Sequence, residues 1–208
     1  MEILIVFLVG LAFGSFLNVL IYRVPIAENI AFPASHCPKC SKKLRWYHNI
    51  PLFSWLFLKG KCGFCEEPIP SSYPIVELLS GGLFVVLFFK ESVTLDFASA
   101  ALAFSMLLAL SVIDFKYFAI PDSLNLAAIV FAVIGTDIAT SFTDALLLAG
   151  GFSLLRFGLS YIIKKEAMGE GDIMIAATMG ALLGLPNVLF AIFVSALLAL
   201  IPSVLAKE

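Results

Sequence analysis

Apolar residues in this chain come in long blocks, not in alternation. The first block, 3–22, contains no charge and closes at Arg23. A polar stretch runs to residue 72. Six more blocks follow, at 73–89, 96–113, 123–141, 143–163, 172–185 and 187–205. About twenty apolar residues carry a helix across the hydrocarbon layer, so the pattern predicts about seven transmembrane helices. A short Gly-Leu-Pro-Asn turn at 184–187 joins the last two, which also read as one broken hairpin. The ten-residue alternating segments of a β-barrel are not seen. There is no internal repeat and no low-complexity segment.

Composition agrees. Hydrophobic residues make up 61% of the chain and charged residues only 13%, against roughly 25% charged in a soluble domain. The mean hydropathy is +1.04. The fold class is therefore an all-α polytopic membrane protein, because lipid-exposed backbone must satisfy its own hydrogen bonds. Most of the twenty phenylalanines fall inside apolar blocks, where they face lipid or pack between helices. A net charge of −2 gives no electrostatic footprint for a nucleic-acid partner, and nothing specifies an oligomeric state.

Charge also orients the chain. Lys and Arg gather in cytoplasmic loops. The stretch 23–72 holds Arg23, Lys39, Lys42, Lys43, Arg45, Lys59 and Lys61. Lys116, Lys164, Lys165 and Lys207 fall on the same side if the spans alternate, which accounts for eleven of the thirteen basic residues. Lys90 falls outside and Arg156 lies within a span. The first block opens Met-Glu with no basic region before it and no small-residue cleavage site after it. It reads as an uncleaved span with the N-terminus outside. The expected division is a first span at 1–22, a cytoplasmic domain at 23–72 and a membrane domain at 73–208.

All four cysteines lie in the cytoplasmic domain, as CPKC (Cys37, Cys40) and CGFC (Cys62, Cys65). Two C-x-x-C pairs separated by 21 residues match a zinc ribbon, each pair offering two thiolates to a tetrahedron. Disulfides would be disfavoured in a reducing cytoplasm. Four protein ligands leave no open position, so the predicted Zn2+ is structural. His36 and His48 are spare possible ligands that read better as packed or solvated side chains. Trp46, Tyr47, Phe53, Trp55 and Phe57 are too many aromatics for a free loop and are expected at the membrane surface.

Two acids sit where a cytoplasmic loop meets a span. Asp114 closes the third span and Asp172 opens the sixth, in MGEGD. Two crossings lie between them, which returns the chain to the same face. Paired carboxyls share one proton, one taking a proton from water while the other polarises a scissile carbonyl. Gly169 and Gly171 would let the backbone bend and approach a substrate. Helix capping explains Asp122, and Glu170 is expected to face water. Glu77, near the start of the second span, is an acid inside a membrane segment and so a candidate for function. Intramembrane acids also serve proton-coupled transporters, which would carry more polar residues at mid-span. A zinc-bearing scaffold without chemistry is a further alternative.

Taken together, GSFLNVLIYRVP, HCPKC through CGFC, YPIVELL, IDFKYFAIPD and GEGD resemble, in order, the bacterial type IV prepilin peptidases of the GxGD aspartic protease group. The resemblance covers residues 11 to about 185. It implies a bacterial inner-membrane enzyme. That enzyme removes the short basic leader of type IV prepilins, or of type II secretion pseudopilins, at the cytoplasmic face. It then methylates the new N-terminal amine with S-adenosylmethionine. By motif, Asp114 and Asp172 become the protease pair and Cys37, Cys40, Cys62 and Cys65 the zinc ligands. Methyl transfer is implied for the cytoplasmic domain and nearby span ends, with Glu77 as the candidate residue. The archaeal preflagellin type lacks the cysteine domain. Members are usually longer, with about eight spans, so the segment after the GxGD span is expected to be shortened here.

Overall fold

The computed structural model describes residues 1–135 and 137–205. It is all-helical. Eight α-helices follow in chain order: α1 Glu2–Arg23, α2 Phe53–Phe57, α3 Ser72–Glu91, α4 Leu95–Tyr117, α5 Asp122–Ile134, α6 Ile138–Ile163, α7 Glu170–Leu183 and α8 Leu185–Leu205. A short 3-10 turn, Trp46–Asn49, precedes α2. The chain divides into two compact units, Met1–Ala128 and Ile129–Glu208.

The seven predicted spans thus become α1 and α3 to α8, but they are not alike. Among the described residues, α1, α3, α4 and α6 are long and apolar enough to cross a membrane. Helix α5 and the Leu185–Leu198 part of α8 are apolar but shorter, and α7 has 14 residues. Local punctuation explains the differences. The block expected at 123–141 stops at Ile134, because Asp137 caps a new helix by accepting the Ala139 amide at 3.3 Å. Helix α7 stops at Gly184, whose φ of +73° suits glycine, and α8 resumes at once with Pro186 in its first turn. The expected four-residue turn is a single residue.

In the first unit, α1 and α3 pack antiparallel along a seam of small residues. A Cβ on Gly10 would come within 2.8 Å of the Gly81 Cα, and one on Gly14 within 2.6 Å of the Glu77 Cα. The Ser80 hydroxyl donates to the Gly10 carbonyl at 2.7 Å, and the Asn18 amide to the Tyr73 carbonyl at 3.1 Å. Close backbone approach of this kind drives helix association where lipid removes the hydrophobic contrast. Helix α4 joins through Phe97, which packs edge-on against Phe84 with centroids 5.9 Å apart. Thr94 caps it by accepting the Phe97 amide. At the other end Lys116 donates to the Ser72 hydroxyl at 3.4 Å. The last turn of α4, with Asp114, therefore lies at the end of the bundle where α3 leaves the cysteine domain.

In the second unit, α6 and α7 run antiparallel. A Cβ on Gly180 would come within 2.8 Å of the Asp144 carbonyl oxygen. Ala145 and Leu148 of α6 and Ala176, Ala177 and Ala181 of α7 are buried.

Candidate functional site

The cysteine domain is built from two equivalent knuckles. The Cys37 amide donates to the Lys42 carbonyl and the Ser41 amide to the Cys37 carbonyl, at 3.1 and 2.8 Å. The Cys62 amide donates to Glu67 and the Glu66 amide to Cys62, at 2.8 and 3.0 Å. Ser41 and Glu66 both take positive φ, +56° and +58°. This repeat went unseen in the sequence because only the cysteines are common to both copies. It brings the four Sγ atoms within 4.8 Å of one another.

A metal fits this donor set. Zn–S bonds of about 2.3 Å put tetrahedral sulfurs about 3.8 Å apart, and Cys37 and Cys65 are 3.8 Å apart. The thiols are already in conflict. Burial raises the Cys62 thiol, but the Phe64 and Cys65 amides and the thiols of Cys37 and Cys65 outweigh it and bring it down to about 7. The Glu67 amide favours the Cys65 thiolate, yet burial and three neighbouring sulfurs push that thiol up to about 12. Such a cluster loses one proton readily and holds the last, a conflict that a divalent cation removes. His36 and His48 lie outside the metal cluster. The His36 ring contacts the Ala34 carbonyl, and His48 packs edge-on between Tyr47 and Phe64.

A cavity of about 440 Å³ lies between these knuckles and the adjoining ends of α1 and α3. Ser15, Asn18, Cys37, His48, Tyr73 and Glu77 are among its lining residues. Glu77 is only 7% exposed. Its Oε2 accepts the Leu52 amide at 2.8 Å, and Ser15 lines the same cavity. Leu52 has φ +61° and ψ −52°, a conformation that costs a branched residue on the order of 1–3 kcal/mol. The strained amide is aimed at the acid. The GSFLNVLIYR and YPIVELL stretches thereby acquire physical reasons. Gly14 admits α3, Ser15 lines the cavity beside Glu77 and Asn18 holds Tyr73.

Arg23, first read as a topological charge, is buried. It donates to the carbonyls of Asn29 and Pro33 at 2.8 and 2.7 Å, stitching the loop after α1. No local signal marks that role, since the carbonyls come from an irregular loop. Trp55 is half-buried within the domain itself. Its indole donates to the Ile69 carbonyl at 3.1 Å and covers Gly60. Trp46, Tyr47, Phe53 and Phe57 are exposed.

Asp114 is exposed in the last turn of α4, in the first unit. Asp172 is in the first turn of α7, in the second, where its Oδ2 accepts the Gly169 amide at 3.0 Å. Gly169 has φ −70°, so glycine is not needed for backbone freedom there. A Cβ there would stand 3.3 Å from that Oδ2, a tight contact that a small shift of the carboxylate relieves. Gly171 is helical, inside the first turn. Asp172 thus folds back onto the start of its own helix.

Residues 8–91 match the Bacterial Peptidase A24 N-terminal domain, and residues 101–204 match the Type IV leader peptidase family. The first match contains the cysteines and Glu77, and the second contains both aspartates. This chain belongs to the type IV leader peptidase family. Among its relatives, a prepilin leader peptidase/N-methyltransferase of Klebsiella pneumoniae is 38% identical over 86% of this chain and 83% of that protein. One of the same name from Vibrio cholerae is 34% identical over 93% and 82%. A third, from Myxococcus xanthus, is 39% identical over 85% of this chain, which spans only 55% of that relative's length. No solved structure matches this chain.

Proposed function

We propose that this leader peptidase is a membrane-embedded aspartic endopeptidase that also methylates its product. It removes the leader of type IV prepilins or type II secretion pseudopilins at the cytoplasmic face of the bacterial inner membrane, with the N-terminus outside. One observation supports the reading: the type IV leader peptidase match, 101–204, contains both candidate acids, and the N-terminal match, 8–91, contains the four cysteines and the cavity with Glu77.

In the peptidase part, Asp114 and Asp172 share the work. One carboxylate takes a proton from the attacking water while the protonated partner donates to the scissile carbonyl oxygen. Gly169 keeps the approach to Asp172 open. In the N-terminal part, Cys37, Cys40, Cys62 and Cys65 hold one structural zinc, which fixes one wall of the cavity. S-adenosylmethionine, when bound, supplies an electrophilic methyl group on a cationic sulfur. Glu77 offers the negative charge that such a cation needs in a mostly apolar pocket, and Tyr73 and His48 offer flat faces beside it. A volume of about 440 Å³ is within the range of sites for ligands of that size.

The test is one incubation of detergent-purified enzyme with a prepilin and S-adenosylmethionine, read by product mass, beside an Asp172→Asn sample. Loss of the leader plus one methyl group, with no cleavage in the variant, is expected. Cleavage without the methyl group removes the second activity. Cleavage by Asp172→Asn reduces Asp172 to a helix-start residue.

A further inference from the structure

Arg156 stands inside the apolar helix α6, where an unpaired guanidinium is costly. It is paired. Its Nη1 lies 3.2 Å from the Glu170 carboxylate and its Nη2 3.8 Å from Glu166. One turn along the same face, the Ser160 hydroxyl accepts the Ala167 amide at 3.0 Å. Helix α6 thus grips the segment leading into α7 at three points. The two ends of the grip differ: the Arg156 side chain is 23% exposed and that of Glu170 85%.

Glu170 is the residue between the two glycines of GEGD and the first residue of α7. Asp172 lies two places on, turned about 200° around the helix axis. Arg156 therefore restrains the first turn of α7 without occupying the Asp172 carboxylate, which is engaged by the Gly169 amide instead.

We propose that Arg156 is a positioning residue for leader cleavage: through Glu170 it sets the first turn of α7 and hence the aim of Asp172. This rests on the reading of Asp172 as a peptidase acid. The methyl-transfer cavity is lined by residues 12–77 alone, so the effect is confined to cleavage.

Full-length Arg156→Gln, Glu170→Gln, the double variant and Asp172→Asn are compared in two assays, prepilin cleavage and methylation of an already cut pilin. Each single variant is expected to lower kcat for cleavage by roughly threefold to tenfold, with KM unchanged. The double should be no worse than the worse single, because one contact is lost in all three. Methylation should stay at the wild-type rate. Arg156→Lys should recover part of the loss by keeping the charge. Glu170→Gln alters only an exposed side chain, so it remains readable even if Arg156→Gln fails to fold. A wild-type kcat in Glu170→Gln overturns the proposal. So does a double variant that loses the product of the two single effects, or methylation that falls in step with cleavage. Asp172→Asn separates the two layers. If it still cleaves, the underlying reading fails. If it is inactive while Glu170→Gln is normal, only the positioning role fails.

Discussion

Glu77 and Asp172 are both carboxylates near the start of a helix, yet the two units hold them in opposite ways. Glu77 is buried, and it accepts a hydrogen bond from a residue 25 positions away, on a strained backbone. Asp172 is half-buried and bonds only within its own turn, three residues back. An acid with partners from distant elements is built before any substrate arrives. One held by its own helix start is fixed only by the geometry of that turn. On the proposed roles, methyl transfer calls for a shaped pocket around Glu77 and leader cleavage for an open approach to Asp172.

The largest effect that would break this contrast is loss of the metal. Structural zinc contributes roughly 10–16 kcal/mol to small domains. Chelation, or Cys62→Ser, is therefore expected to unfold the knuckles and abolish methylation. Metal content by atomic emission should fall from one zinc per chain. Protected amides in hydrogen exchange should be lost between residues 35 and 70, while the α6–α7 pair keeps its protection. If the α6–α7 amides open equally, the two units do not behave separately.

Next come the aspartates. Asp114→Asn and Asp172→Asn are each expected to lower the cleavage rate by about 10²–10⁴-fold, with methylation of a precut pilin preserved. Single-turnover cleavage of a synthetic prepilin measures this directly, and a loss under tenfold in either variant removes it from the pair.

Glu77→Gln sharpens the comparison from the other side. The amide oxygen still accepts from Leu52, so the fold should hold while the charge is gone. A hydrogen bond to a charged group is worth about 1.5–3 kcal/mol, and methylation should fall roughly 10- to 100-fold with cleavage intact. Equal losses in both activities would make Glu77 a structural acid.

The smallest effect tests the seam beneath Glu77. Gly14→Ala places a Cβ against the Glu77 backbone and should cost about 1–3 kcal/mol by overpacking. Gly82→Ala meets nothing within 4 Å and should be neutral or stabilising by under about 1 kcal/mol. Thermal unfolding in detergent separates the two, and equal shifts would mean that the helices slide freely past each other.

What was legible in the sequence is what is local or strictly periodic. Apolar blocks placed seven helices, and two C-x-x-C pairs placed the metal cluster. The break at Asp137 was hidden because a single capping residue interrupts a block that stays apolar on both sides. The partner of Glu77 was hidden because a backbone amide has no signature of its own. Only the strain at Leu52, invisible without coordinates, singles it out. Arg23 and Arg156 were read by charge alone, and their roles lie in carbonyls and carboxylates brought up by loops. The positions of both aspartates at helix ends followed from the blocks, and Lys116 at Ser72 places the Asp114 end beside the start of α3.

The antiparallel α1–α3 pair has a consequence for synthesis. These helices touch backbone to backbone, yet the whole segment from Val24 to Ser71 emerges between them. The first helix must therefore sit in the bilayer with its glycine face uncovered until the second arrives. Closing so long a loop carries an entropic cost that grows with its length. A metal held by the two knuckles would close residues 37–65 into a small ring. That would shorten the loop left to be closed when α3 pairs with α1.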